Sequence, residues 1–488
     1  MKSSLSDQFT HDFSESKLSW FAKLLYGSGD LGRASFNTLR QFFYAIFLTD
    51  VVGIEPRLAS IAALISIFWD AVNDPIVGAV SDNVRTRWGR RKPFLIIFSI
   101  PFALAYILLW WAPPWQSQAI LVMHVTLAYM MSDTIQTLIT VPYLALTPEL
   151  TGDYDERTSL TSFRMFFNLI ASLITAVSAP IIIDATVKSG LSIQQAYLTI
   201  ATLFGCLSII PFLLISLLLK EKNTQTQLTP DSITFKDTLT ALWKNTPFRY
   251  ATGIYVLNWI AVDIEGLMLP FFLLYIISRG DLLAKASIFG QQIAVESIVF
   301  GLLLITATVT IPLWNWFAQK YSKKSAYILG MSFWIVVQFF VFSLQPGQTT
   351  LIIFLSILAG LSVSTAHIIP EAIFPDVIDW DEFVNHTRRE GMYYGAINFF
   401  GKMSSAIAIF LVFQSLGWFG YQTPPKDAIR FTQPDNAITA IRFLTGPVII
   451  ILLLLAIFLA WYYPLTRDRQ HYIQQSLRKR EQLHTKKY

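Results

Sequence analysis

The sequence predicts an all-α polytopic membrane protein, with twelve transmembrane helices in two pseudo-symmetric six-helix bundles. Three observations predict it. Of 488 residues, 53% are hydrophobic and 14% charged, against roughly 25% charged in soluble domains. Twelve apolar stretches recur along the chain, each near the ~20 residues that cross a bilayer. A polar insertion, Lys220–Arg249, falls between the sixth and seventh stretches and divides them evenly. This profile excludes a soluble enzyme. The single cysteine, Cys206, excludes an intrachain disulfide or a cysteine metal centre.

The expected order is a segment 1–19, a first bundle 20–219, a middle loop 220–249, a second bundle 250–465 and a basic tail 466–488. In the first bundle the spans fall at about 20–49, 57–81, 93–113, 117–147, 158–183 and 194–219. In the second they fall at about 250–277, 288–320, 324–344, 349–374, 390–416 and 441–465. The first span follows a polar segment without a cleavage-type site and is expected to be retained. Arg85, Arg87, Arg90, Arg91 and Lys92 follow span two, Lys320, Lys323 and Lys324 follow span eight, and the tail carries a further basic run. These segments alternate correctly for the positive-inside rule, which places both termini in the cytoplasm. The expected location is the cell (inner) membrane. The net charge of +5 thus belongs to topology and to lipid headgroups, and no nucleic-acid partner is expected.

Ionisable groups inside the spans carry the functional reading, because each costs several kcal/mol at the bilayer centre, ~2.5–3.5 on insertion scales. Span one presents Tyr26, Asp30, Arg33, Asn37, Arg40 and Tyr44 as one helical stripe. Span two places Asp70, Asn73 and Asp74 within one turn. Two carboxylates and an amide oxygen so close call for Na+, Li+ or a proton between them, or a basic side chain from another helix. Pro75 frees a carbonyl nearby. Span four carries Tyr129, Asp133, Thr137 and Thr140, span five Arg164, Asn168, Ser172 and Thr175, and span eleven Tyr394, Asn398, Lys402 and Ser405. Asn258 and Glu265 share a face in span seven, as do Gln292 and Glu296 in span eight. So many inward polar edges point to a central hydrophilic pathway. Trp69, Tyr129, Trp259 and Tyr394 are candidates to stack on a sugar ring. His124, His367 and Glu371 offer no third metal ligand at a recognisable interval, and no glycine-rich phosphate loop supports ATP drive. Neither an enzyme nor a cofactor is expected.

The six-plus-six pattern repeats a basic turn after the second span of each half, as transporters of two related bundles do. Gly78, Asp82, Gly89, Arg90 and Arg91 resemble the signature loop of the major facilitator superfamily, which implies a cytoplasmic latch. Several segments extend the resemblance: Tyr26–Asp30, Thr49–Gly53, Trp69–Gly78, Arg85–Pro93, Val141–Tyr143 with Glu156–Thr158, and Asp376–Asp379 with Arg388–Gly391. Together they resemble the glycoside–pentoside–hexuronide:cation symporters, a melibiose-permease-like branch of that superfamily. The resemblance implies a cation site at Asp70, Asn73, Asp74 and Thr137, with Na+ or H+ as coupling ion and Li+ as a further option. It places Arg164 and Lys402 beside the substrate. Two family aspartates that grip sugar hydroxyls are replaced by Ala34 and Thr140, which argues against melibiose and, with four basic groups present, fits an acidic sugar. The expected substrate site comprises Tyr26, Asp30, Arg33, Asn37, Arg40, Tyr129, Asp133, Thr140, Arg164, Asn258 and Lys402. The expected function is alternating-access symport of a sugar, glycoside or sugar acid. The animal lysophospholipid transporters of the same branch give the alternative, a lysolipid or other amphipathic solute; a channel or a membrane-embedded enzyme is less favoured.

Overall fold

The computed structural model describes residues 18–86, 88–151, 153–219, 242–288, 290–386 and 389–485. The expectations for the N-terminal segment 1–17, Arg87, the middle loop 220–241, Arg388 and the lysines at 486 and 487 lie outside the described residues. Among the described residues, ten helices are long and apolar enough to cross a membrane. Trp20–Val52 and Gln118–Leu150 complete the twelve spans; they bear the Asp30–Arg40 and Tyr129–Thr140 stripes, whose polar groups lower their hydropathy.

Span one consists of Trp20–Ser28 and Asp30–Ile46, followed by a π-helical turn, Phe47–Val52. Ser19 caps its start by accepting from the Ala22 amide, and Gly53, at φ +79°, ends it. Span two, Pro56–Asn83, begins on a proline that has no amide to satisfy. Spans three to six are Lys92–Leu109, Gln118–Leu150, Tyr154–Lys188 and Ile193–Leu218. A reciprocal Ser192/Gln195 capping box opens the sixth. Span seven is Thr246–Phe271 with a π-helical turn to Ile277. Spans eight to eleven are Val295–Lys320, Lys323–Ser343, Thr349–Asn385 and Glu390–Trp418. Span twelve runs from Asp435 through a π-helical turn to Trp461.

Two expectations need correction. Span eight starts at Val295, because Lys285–Ile288 and Gln291–Ala294 pair as an antiparallel hairpin ahead of it. Gln292 therefore lies on a strand and shares no helical face with Glu296. Span ten passes Pro370 and Pro375 and continues to Asn385, where His386, at φ +57°, ends it.

Across the halves, span one packs on seven, two on eleven and five on eight. Within the second half, spans eight and ten approach so closely that a Cβ on Gly360 would stand 2.5 Å from the Leu303 carbonyl. At the end opposite the termini, Asp50 accepts from Tyr275 and Tyr421, each at 2.5 Å, and so ties the halves together. Burial pushes the Tyr421 hydroxyl well above the usual tyrosine range, which keeps it a donor. Lys285 on the hairpin binds Asp184 at the end of span five, and Asp427 accepts from the Ile193 amide. Toward the termini, Lys23–Glu156, Arg91–Glu149, Lys323–Asp376 and Arg389–Asp381 each join groups of one half. A last helix, Arg467–Thr485, lies against the extended end of span ten. Ile473 is buried there, Gln470 donates to Asp379, and Arg480 stacks on Phe383.

Candidate functional site

The span-two carboxylates meet a cation, and it belongs to the chain. Helical spacing puts Asp70 and Asp74 one turn apart, and span two packs against span eleven, which carries Lys402. Its Nζ lies 2.9 Å from Asp70 Oδ2 and 2.6 Å from Asp74 Oδ2, and donates to the Asp70 carbonyl at 3.1 Å. That carbonyl is adjacent to Ala71, whose helical partner would be the missing amide of Pro75. Thr137 donates to Asp74 Oδ1 at 3.0 Å. Asn73 is buried, and its amide nitrogen has no hydrogen-bond partner among the described residues. Such a nest of oxygens suits a monovalent cation, and here the Lys402 ammonium supplies that charge.

One chamber adjoins this nest, and a second adjoins the first. The first, of about 410 Å³, is charged: Arg40, Asp70, Asp133, Asp263 and Lys402 line it, with Tyr44, Tyr129 and Trp259. Arg40 donates to Asp133 and stacks over Tyr129 at 5.1 Å. The second, of about 520 Å³, is mainly apolar, with Leu169, Val262, Leu269, Leu303, Leu304 and Ile311 on its walls. Arg33, Glu265, His367 and Glu371 are its ionisable groups. Asn37, Gln41 and Trp259 line both chambers and form the wall between them.

The structure therefore gathers Asn37, Arg40, Tyr129, Asp133 and Lys402 around the charged chamber, and sets Arg33 on the apolar one. The remaining expected substrate residues are elsewhere. Asp30 is fully buried between Arg33, at 2.5 Å, and Arg164, at 2.8 Å, so Arg164 serves an ion cluster rather than the chamber lining. Tyr26 donates to the Tyr143 carbonyl and bonds Thr147. Asn258 donates to the Ala366 carbonyl and accepts from Tyr327, joining spans seven, nine and ten. Thr140 lines neither chamber. Of the stacking candidates, Trp69 donates to Thr134, and neither it nor Tyr394 lines a chamber. His124 packs between Trp111 and Trp115, and no cluster of three metal-ligating side chains occurs among the described residues.

In the latch segment, Gly89 has φ +107°, a conformation that requires glycine. Arg91 donates to Glu149 at 3.0 Å and to Ser81 at 2.8 Å, bracing spans two and four. Arg90 is half-buried in the same turn, and the side chain of Asp82 is outside the described residues. Gly78 has open space where a Cβ would stand, so crowding does not explain it.

Two groups escaped the sequence reading. Asp263 lines the charged chamber and accepts from Ser405 at 2.6 Å; its position inside an apolar span was the available signal. Asp50 stood within Thr49–Gly53 without an assigned role.

The family model described as MFS/sugar transport protein matches residues 25–467. An uncharacterized symporter of Synechocystis sp. is 30% identical, over 97% of this chain and 99% of its own length. The sodium-dependent lysophosphatidylcholine symporter 1 of Gallus gallus is 27% identical, over 94% of this chain and 89% of its own. A sphingosine-1-phosphate transporter of Xenopus tropicalis is 26% identical, over 93% and 90%. Among solved structures, the nucleoside transporter NupG superposes with a TM-score of 0.59 at 15% identity, covering 91% of this chain and 97% of that one. That likeness concerns the fold.

Proposed function

The chain belongs to the MFS/sugar transport protein family, and from that premise we propose that it is a cation-coupled symporter of an amphipathic, lysolipid-like solute. The observation that carries this reading is the pairing of the chambers: a charged compartment shares the wall of Asn37, Gln41 and Trp259 with a larger apolar one. A polar headgroup fits the first and a hydrocarbon chain the second. A sugar, polar around its rim and apolar only on a small ring face, has no group to fill the apolar chamber. The relatives named for lysophosphatidylcholine and sphingosine-1-phosphate favour the same substrate class over the sugar or hexuronide that the sequence alone suggested.

Coupling follows from Lys402. A cation entering between Asp70 and Asp74 displaces the ammonium, loosens the tie between spans two and eleven, and leaves Lys402 available to an anionic substrate. Each binding event then assists the other by a reciprocal free energy, typically ~1–3 kcal/mol. With the terminus-bearing face taken as cytoplasmic, the Asp50–Tyr275–Tyr421 clasp seals the outer mouth in this state. The test is uptake into proteoliposomes of labelled lysolipids, glycosides and hexuronides, with Na+ and pH gradients imposed separately. Cation-driven lysolipid uptake is expected. Glycoside uptake without lysolipid uptake overturns the substrate reading, and uptake indifferent to both gradients overturns the coupling.

A further inference from the structure

Among the described residues, each acidic group lining the charged chamber makes an ion pair except Asp263. Asp133 has Arg40, Asp70 and Asp74 share Lys402, and Asp30 sits between Arg33 and Arg164. Asp263 has only the neutral hydroxyl of Ser405 and no ion pair among the described residues. A carboxylate held in a cavity without a direct ion pair is costly, and a positive charge brought from outside would complete the site. We propose that this charge is the ammonium group of a zwitterionic headgroup, bound at Asp263 while its anionic group is bound at Arg40.

Trp259 lies one helical turn before Asp263 and so on the same face of span seven; both line the charged chamber. A carboxylate beside an indole face is a setting for an alkylammonium ion, which is attracted to the ring and gives up little hydration. A metal ion would find only the oxygens of Asp263 and Ser405 there, too few for its coordination. On the facing wall, Arg40 spends one N–H on Asp133, so of five donors in a planar fork the others remain to take phosphate oxygens. Stacking over Tyr129 at 5.1 Å and Phe36 at 5.5 Å fixes that fork. Arg40 belongs to the first half and Asp263 to the second, so a dipolar headgroup spans the interface and draws the halves together, with its chain leaving past Trp259 into the apolar chamber. Asp263 thereby distinguishes zwitterionic from purely anionic amphipaths.

This inference rests on the lysolipid reading, and one experiment separates the two. Proteoliposomes receive labelled lysophosphatidylcholine or lysophosphatidylglycerol of the same acyl chain. The unmodified protein is expected to take the zwitterion by about tenfold over the anion. Asp263→Asn, which keeps shape and hydrogen bonding, should bring that ratio near unity through loss of lysophosphatidylcholine uptake, and Asp263→Glu should restore part of it. Trp259→Leu leaves every charge in place and should lower the ratio by about threefold; it serves as the test where the Asp263 variants do not assemble. A ratio unchanged in Asp263→Asn, or equal slowing of both lipids with Trp259→Leu keeping the ratio, overturns the inference and leaves Asp263 a proton site or a structural one, while lysolipid transport stands. Uptake of neither lipid by the unmodified protein overturns the lysolipid reading and the inference with it.

Discussion

Replacing Lys402 by glutamine isolates the competition between the chain's own ammonium and a coupling ion. The side chain contacts Asp70 at 2.9 Å and Asp74 at 2.6 Å, and a hydrogen bond between charged groups contributes ~1.5–3 kcal/mol. The side chains are 24%, 25% and 41% exposed for Lys402, Asp70 and Asp74, so screening by water selects the lower end of that range. An ion that binds between the carboxylates must first break these contacts. Their removal should therefore tighten Na+ binding by about tenfold, the equivalent of ~1.4 kcal/mol. The same change leaves two carboxylates facing each other, and the ion-free protein should lose thermal stability that added Na+ restores. The assay is a Na+ titration of purified protein, followed by tryptophan fluorescence, since Trp69 adjoins Asp70, and by the shift in Tm. Unchanged or weakened Na+ affinity in Lys402→Gln would refute the displacement argument.

Three further outcomes are expected. Asp70→Asn or Asp74→Asn should abolish cation-stimulated uptake, since each removes half of the charge that holds the ion; full stimulation in either variant sinks the assignment. Asp50→Ala leaves the Tyr275 and Tyr421 hydroxyls without their shared acceptor, a loss of ~2–3 kcal/mol in the sealed state. In a Cys206→Ser background, a cysteine at Gln41 should then be labelled faster by a membrane-impermeant maleimide applied from the Asp50 face, and an unaltered rate counts against the clasp. Gly360→Ala places a methyl 2.5 Å from the Leu303 carbonyl and 2.8 Å from Thr306 Cβ, and should cost ~1–3 kcal/mol through forced separation of spans eight and ten. A Tm equal to that of the unmodified protein would show that the helices yield freely.

Hydropathy made the spans legible, because each must satisfy its own backbone in lipid. It was silent on the polar segments at the span ends: residues 288–294, mostly the second strand of the hairpin, read as the start of span eight, and the continuation of span ten beyond 374 to Asn385 was not included in the span. The intramembrane charges were legible as a set, because burial makes them improbable without purpose. Periodicity said which face of a helix was polar but not what that face meets. Tyr26, Asp30 and Arg40 share one stripe, yet the first two enter a closed cluster while Arg40 faces a chamber. Asn258, similarly, is consumed in ties between helices. Asp263 required a view across the interface, since its meaning comes from the basic neighbour it lacks.

The helix Arg467–Thr485 is fastened to the far end of span ten through Asp379, Phe383 and His386. Span ten also delivers His367 and Glu371 to the apolar chamber. Cargo fused beyond Thr485, whether a fluorescent protein or an affinity handle, would thus pull on a helix pinned to the same span that walls the apolar chamber.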